Sequence, residues 1–207
     1  MQKKIVTISR QYGSGGRYIG KKLSEKLGIP CYDEKLIDMV AKESGFAQDF
    51  VAEKGERMTG SLLFNIASSL SYANNVFSGN GVSLQDEIYF IQNKIIKDLA
   101  EKGSCVIVGR CADYILREMK PYRIFIYADL DSRIKRCVAR STTSEQYTEK
   151  QLKKHILKID KGRAKYYEYY TGQKWSDKIN YDLCVNTTNI NIKEIVPLIA
   201  KMFKKGN

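Results

Sequence analysis

The sequence is poor in metal ligands. It has a single histidine, His155, and its five cysteines (Cys31, Cys105, Cys111, Cys137 and Cys184) include no C-x-x-C pair. Zinc sites need clustered Cys and His donors, so no metal-ligating residues are expected and the thiols read as reduced and mostly buried. No apolar run approaches the ~20 residues of a membrane span. Met-Gln-Lys-Lys leads directly into an apolar stretch with no signal-peptide h-region or cleavage site, so a cytoplasmic location is expected. Clustered positive charge is missing too. The net charge is +12, yet lysines are scattered in pairs such as Lys21–Lys22, Lys153–Lys154 and Lys204–Lys205, with no run of five cations and no zinc-finger or RNP signature. The scattered lysines read as solvated surface, and nucleic acid is not the expected partner. A charge of this size still attracts anions, and nucleotide phosphates are the other candidate.

What is present is an alternation of short apolar runs with helical periodicity. Hydrophobic residues make up 43% of the 207, enough for a full core in one domain spanning 1–207. Lys4–Ser9, with β-branched Ile5, Val6 and Ile8, predicts a buried strand. A helix from about Arg17 carries Ile19, Leu23 and Leu27 on one face and stops at Gly28. Short strands follow at Pro30–Tyr32, Cys105–Val108, Ile124–Tyr127 and Asp182–Val185. Between them, Asp33 is placed to cap a helix carrying Leu36, Ile37 and Val40. Ile88, Ile91, Ile95 and Leu99 stripe a long helix, and Thr148-x-x-Gln151 is a capping box for another running to about Tyr170. Residues 45–80 carry weaker helical stretches, one at Leu62–Leu70, and the loop Ser78-Gly79-Asn80-Gly81. They read as an insertion. The alternation predicts an α/β fold with a five-stranded parallel sheet and helices on both faces. Ligands of such sheets bind beyond the carboxyl ends of the strands. The loop after strand one, Gly109-Arg110 after strand three and Asp129–Arg133 after strand four all fall on that edge.

Gly13-Ser14-Gly15-Gly16 before a helix suits phosphate. Glycines let backbone N–H groups turn inward, and the helix adds its positive end. The full pattern G-x-x-x-x-G-K-[ST] is absent: with Gly15 as its second glycine, Arg10 stands at the first, Gly16 at the lysine and Arg17 at the hydroxyl. From spacing alone, the loop reads either as a phosphate cradle or as a tight strand-to-helix turn.

The stretch Ile8-Ser9-Arg10-Gln11-Tyr12-Gly13-Ser14-Gly15-Gly16-Arg17 resembles the start of the cytidylate kinase-like family, a divergent branch of the nucleoside monophosphate kinases. Further pieces match in order: Val106–Asp113, Ile126–Asp129 with Arg133 and Arg136, Asp160-x-x-Arg163 followed by Tyr166-Tyr167, and Trp175 with Tyr181–Thr187. The resemblance implies a P-loop NMP-kinase-like fold with inserted acceptor-binding and lid helices, at 45–80 and 141–180. It implies ATP and Mg2+ as cofactors, nucleotide substrates as partners and no membrane; an oligomer is left open. Gly13, Ser14, Gly15, Gly16 and Arg17 would bind ATP phosphates, and Asp33, Arg110 and Asp113 the acceptor. Arg17, Arg133, Asp160 and Arg163 would serve catalysis, with Asp160 orienting an arginine by a bidentate pair. Two departures stand out. The loop lysine of true cytidylate kinases is replaced by Gly16, and their Gly-Arg-Asp by Gly109-Arg110-Cys111. Arg17 or Arg10 is expected to supply the lost charge, and Asp113 the lost carboxylate.

Arg133, Arg136 and Arg140 share one helix face; Arg140 reads as solvated surface, the other two lie nearer the sheet edge. Tyr166, Tyr167, Tyr169 and Tyr170 read as helix packing in preference to base stacking, and His155 as a surface helix residue. The leading expectation is a kinase transferring the ATP γ-phosphoryl group to a pyrimidine NMP such as CMP. The alternatives are a nucleotide-binding sensor or partner-binding module with lost or weak catalysis and, on net charge alone, an RNA-binding protein.

Overall fold

The computed structural model describes residues 3–58, 83–140 and 148–203. In chain order these form β1 (Ile5–Arg10), α1 (Gly16–Leu27), β2 (Cys31–Tyr32), α2 (Glu34–Ser44), α3 (Gln48–Lys54), α4 (Leu84–Lys102), β3 (Cys105–Val108), α5 (Ala112–Ile115), β4 (Tyr122–Tyr127), α6 (Leu130–Arg140), α7 (Glu149–Thr171), β5 (Leu183–Asn186) and α8 (Ile192–Met202). The five strands form one parallel sheet in the order β2-β3-β1-β4-β5, as the strand–helix alternation implies. The expected stretch Leu62–Leu70 and the loop Ser78–Gly81 lie outside the described residues.

Side chains alternate across each strand, so the sheet serves two cores. Val6, Ile8, Val106, Ile124, Ile126 and Val185 meet Ile19 and Leu23 of α1 and Val196 and Ile199 of α8. Ile5, Ile107 and Phe125 meet α2, α4 and the tyrosines of α7 on the opposite face. Each fully buried Ile, Leu or Val contributes about 1.5–3 kcal/mol. Gly20 lets α1 lie close against β1 and β3: a Cβ there would be 3.0 Å from Val108 Cγ2 and 3.3 Å from Ile8 Cδ1.

Local signals set the helix ends. Gly28 adopts a left-handed conformation (φ 67°) and closes α1 with its N–H on the last carbonyls. Both halves of the Thr148/Gln151 capping box form at the start of α7. Asp33 differs from expectation. It precedes α2 without a side-chain capping bond, because its carboxylate is engaged by Arg17. The tyrosines pack, as expected. Tyr166 and Tyr167 are buried, and Tyr170 stacks on Tyr89 with centroids 3.8 Å apart. Only Tyr169 of the four is exposed. Of the cysteines, Cys105 and Cys111 are buried, Cys31 and Cys137 are partly buried, and Cys184 is exposed; all five are free thiols.

β1 lies mid-sheet, with β2 and β3 on one side and β4 and β5 on the other. The chain therefore leaves β1 where the strand order reverses, which is where such sheets open a ligand crevice. The register pairs Ile8 with both Val108 and Ile124. It thereby sets Arg10 beside Gly109 and Arg110.

Candidate active site

The loop between β1 and α1 is shaped by its glycines. Gly13 (φ 76°) and Gly15 (φ 87°) take the left-handed region that other residues rarely enter. The buried Ser14 folds the turn by donating from Oγ to the Gln11 carbonyl at 2.8 Å. Gly15 caps α1 with no side chain, so the first N–H groups of the helix face the crevice end without a side-chain acceptor. Three elements brace the loop. Asp160 of α7 accepts from the Tyr12 N–H at 2.8 Å, Arg133 of α6 donates to the Tyr12 carbonyl at 3.3 Å, and Thr187 after β5 donates from Oγ1 to the Ser14 carbonyl at 2.8 Å. Arg136 in turn donates to the Thr187 carbonyl and Oγ1.

Gly16, at the vacant lysine position, has a steric cause. A Cβ there would overlap the Cβ of Arg10 and lie 2.9 Å from its Cγ. The aliphatic stem of Arg10 thus fills the space where a side chain at position 16 would begin. Its guanidinium continues along the crevice to the Glu56 carboxylate, with Nη2 donating to Oε2 at 3.1 Å and Nη1 to Oε1.

Four buried arginines meet here: Arg10, Arg110, Arg133 and Arg163. Arg163 donates to the Arg10 carbonyl at 3.2 Å and pairs with Glu56 at 3.3 Å and Asp160 at 3.9 Å. Arg133 pairs with the other oxygen of Asp160. Asp160 therefore lies between two arginines and the loop, but the expected bidentate pair does not form: its close partner is Arg133 of α6, and Arg163 stays at 3.9 Å. Burial presses the guanidiniums of Arg110 and Arg163 down to about 10, and that of Arg10 well below its usual value. At about 10, Arg110 and Arg163 remain cations at neutral pH. The downward shift reflects positive charge held out of water. Burial also raises Asp160, despite its arginine partners.

Arg110 is held differently. Gly109, Arg110 and Cys111 are three successive left-handed residues (φ 74°, 62° and 54°), two of them with a Cβ. Such backbone strain persists only where the surroundings impose it. The turn aims Arg110 inward, where Nη1 donates to the Gln92 amide oxygen at 2.9 Å and the Val51 carbonyl at 3.1 Å. Both acceptors are neutral. Among the described residues Arg110 forms no ion pair with a carboxylate.

The remaining expected residues lie around this centre. Half-exposed Arg17 pairs with Asp33, and more loosely with Glu34 at 3.4 Å, so it points along the outer rim of the crevice. Burial works against its charge, but Asp33 outweighs it and the net shift is upward. Asp33 bridges the two candidate replacements for the lysine, reaching Arg10 at 4.0 Å as well as Arg17. Asp113 lies behind the Arg110 turn, buried, and accepts from the Tyr167 hydroxyl at 2.7 Å; burial raises its pKa. The Tyr12 and His155 rings meet edge to face at 5.6 Å. Sequence reasoning missed Glu56 and Gln92. Glu56 fell in the stretch 45–80 and carried no pattern. Gln92 did leave a signal: it lies four residues after Ile88 and three before Ile95, a polar residue on an apolar stripe.

A glycine loop at the reversal point of an all-parallel sheet, with arginines converging beside it, defines a P-loop kinase-like α/β protein. The chain belongs to the cytidylate kinase-like family, whose sequence model matches residues 5–189. It is similar, at 29% identity and a TM-score of 0.70, to an uncharacterized protein from Eubacterium ventriosum, with 98% of this chain and 99% of that one covered. It shares the fold of a shikimate kinase from Bacteroides thetaiotaomicron (11% identity, TM-score 0.52, 96% and 97% covered). A shikimate kinase from Acinetobacter baumannii is similar at 12% identity and a TM-score of 0.51, with 98% and 94% covered. No curated protein matches the chain. Among the described residues no helix is long and apolar enough to cross a membrane.

Proposed function

We propose that this protein moves the γ-phosphoryl group of ATP to a pyrimidine nucleoside monophosphate such as CMP. The observation that carries the reading is the convergence of Arg10, Arg110, Arg133 and Arg163 beside the glycine loop, with Glu56 and Asp160 as the carboxylate partners of all but Arg110. Phosphoryl transfer spreads negative charge over equatorial oxygens, and planar, permanently charged donors in a dry crevice stabilise it. Backbone N–H groups of Gly13–Gly16 would hold the ATP phosphates. Arg110, Asp33 and Asp113 would serve the acceptor, and Arg133 and Arg163, set by Asp160, the moving group. Alignment of the two substrates supplies the rest, and no covalent intermediate is required.

Mg2+ would neutralise the β- and γ-phosphate oxygens. Among the described residues no group of three or more acidic, His or Cys side chains could hold a metal ion, and the loop's hydroxyl position is Arg17. This donor set fits an ion carried in by the nucleotide phosphates, which Mg2+ favours over an all-protein cage.

A second reading, a nucleotide-binding sensor with lost catalysis, is favoured by one observation: the lysine position is not only vacant but closed by Arg10. Single-turnover transfer from γ-labelled ATP with Mg2+, across a panel of NMPs and dNMPs, separates the two. Transfer to a pyrimidine nucleotide is expected. Tight ATP binding with no transfer to any acceptor would leave the sensor reading standing.

A further inference from the structure

Glu56 is the carboxylate at the heart of the arginine cluster, and it comes from outside the sheet. It follows α3, two residues past its last residue, Lys54, on a segment held to α7 by one backbone bond, Met58 N–H to the Gly162 carbonyl at 3.0 Å. A glycine eases the close fit: a Cβ on Gly162 would be 3.2 Å from Arg57 Cβ and 3.3 Å from the Met58 carbonyl oxygen. From there the Glu56 side chain reaches both Arg10 and Arg163. It also lies tight against Gly109, whose hypothetical Cβ would overlap Glu56 Oε1 and Arg10 Nη1. The carboxylate thus sits at the mouth of the strained Arg110 turn.

The electrostatics there are unbalanced. Glu56 is the close carboxylate of two guanidiniums, with Asp33 at 4.0 Å from Arg10 and Asp160 at 3.9 Å from Arg163 farther off, and the third, Arg110, has only neutral acceptors. The Nε groups of Arg10 and Arg163 are buried without hydrogen-bond partners, in residues that are themselves buried. A buried, unpaired N–H is costly, and buried positive charge more so. A dianion with three or more acceptor oxygens would answer these demands better than a two-oxygen monoanion.

We propose that Glu56 is an internal stand-in for a phosphate group: its carboxylate occupies an oxyanion site built by Arg10, Arg110 and Arg163, and a phosphate dianion displaces it. This rests on reading the arginine cluster beside the glycine loop as the place where phosphate groups are held. It adds that the site is never left as bare positive charge, and that Glu56 sets the threshold an anion must exceed. A neutral acceptor cannot displace the carboxylate, whereas a phosphate monoester can. The ligand chemistry is a phosphate dianion, free or esterified.

Calorimetry with inorganic phosphate and with CMP, on the parent and on Glu56→Gln, tests the exchange. The uncharged isostere should bind about tenfold or more tightly, and adding Arg110→Ala should abolish the gain. A gain for both ligands assigns the site to phosphate itself. A gain for CMP alone assigns it to esterified phosphate. Equal or weaker binding by folded Glu56→Gln would make Glu56 a fixed scaffold for Arg10 and Arg163, and the proposal would fail. The parent protein supplies a second measurement that needs no variant. Saturating phosphate should speed hydrogen exchange at residues 56–58 as Glu56 withdraws, whereas protection there would overturn the idea. Neither assay involves turnover, so displacement in a protein that transfers no phosphoryl group would retain this inference while ending the kinase reading.

Discussion

Arg10 and Gly16 exclude each other's side chains: the first atom of any side chain at position 16 would fall on the stem of Arg10. The side chains at positions 10 and 16 are therefore coupled by space. Restoring the lysine alone should then damage the fold. Gly16→Lys is expected to lose about 1–3 kcal/mol by overpacking, and Arg10→Gly/Gly16→Lys to recover much of it. Urea unfolding of the two variants checks this. Additive losses would mean that the two positions are independent.

Phosphoryl transfer should depend more on Arg10 than on Arg17. Arg10 is buried and preorganised, while Arg17 is half exposed at the rim and held by Asp33. Loss of a preorganised donor costs about 100–1,000-fold in kcat. Arg10→Ala should fall in that range, and Arg17→Ala should lose less while ATP binding survives. Single-turnover transfer compares them directly. A larger loss in Arg17→Ala would place the substitute for the lysine on the helix.

Arg110 and Arg163 should give different kinetic signatures although they share one cluster. Arg110 projects from a strained turn in the sheet edge, and Arg163 from α7 across the β1 carbonyl. Arg110→Ala should raise the acceptor KM, whereas Arg163→Ala should lower kcat. Matching changes in both constants would show that the cluster acts as one unit.

Tyr167→Phe should leave buried Asp113 without its hydroxyl donor and cost about 1–3 kcal/mol in unfolding free energy. The pH sign follows from burial, which raises Asp113 above the ordinary 3.8. The folded state binds that proton more tightly than the unfolded chain. Its contribution to stability is therefore full below about 3.8 and is lost as pH rises through the folded value. Asp113→Asn should flatten this part of the stability profile. A profile unchanged by the substitution would count against the burial argument.

The sheet and the glycine loop were legible because Ile5, Val6 and Ile8 are β-branched and stop at a glycine-rich turn, whereas the strand order was not. The loose pair of Asp160 with Arg163 was legible because they sit one helical turn apart, but its hydrogen-bonded partner Arg133 was not, since that contact joins two helices. Glu56 was not, since a lone acidic residue in a weakly patterned stretch says nothing about the sheet edge it will reach. Nor could spacing reveal that Arg10 fills the place of a side chain at Gly16, because that overlap exists only once β1 and α1 are packed.

Thr187 lies 173 residues beyond Ser14, yet its hydroxyl holds the glycine loop's carbonyl. During synthesis the loop emerges 173 residues before its brace. Non-local contacts of this span form late, after the chain has met the cost of closing them. A ribosome-bound chain halted before β5 would carry every glycine of the β1–α1 loop but not the hydroxyl that fastens it. The capacity to grip a nucleotide should therefore arrive abruptly, with the final strand, and not grow with the length of the nascent chain.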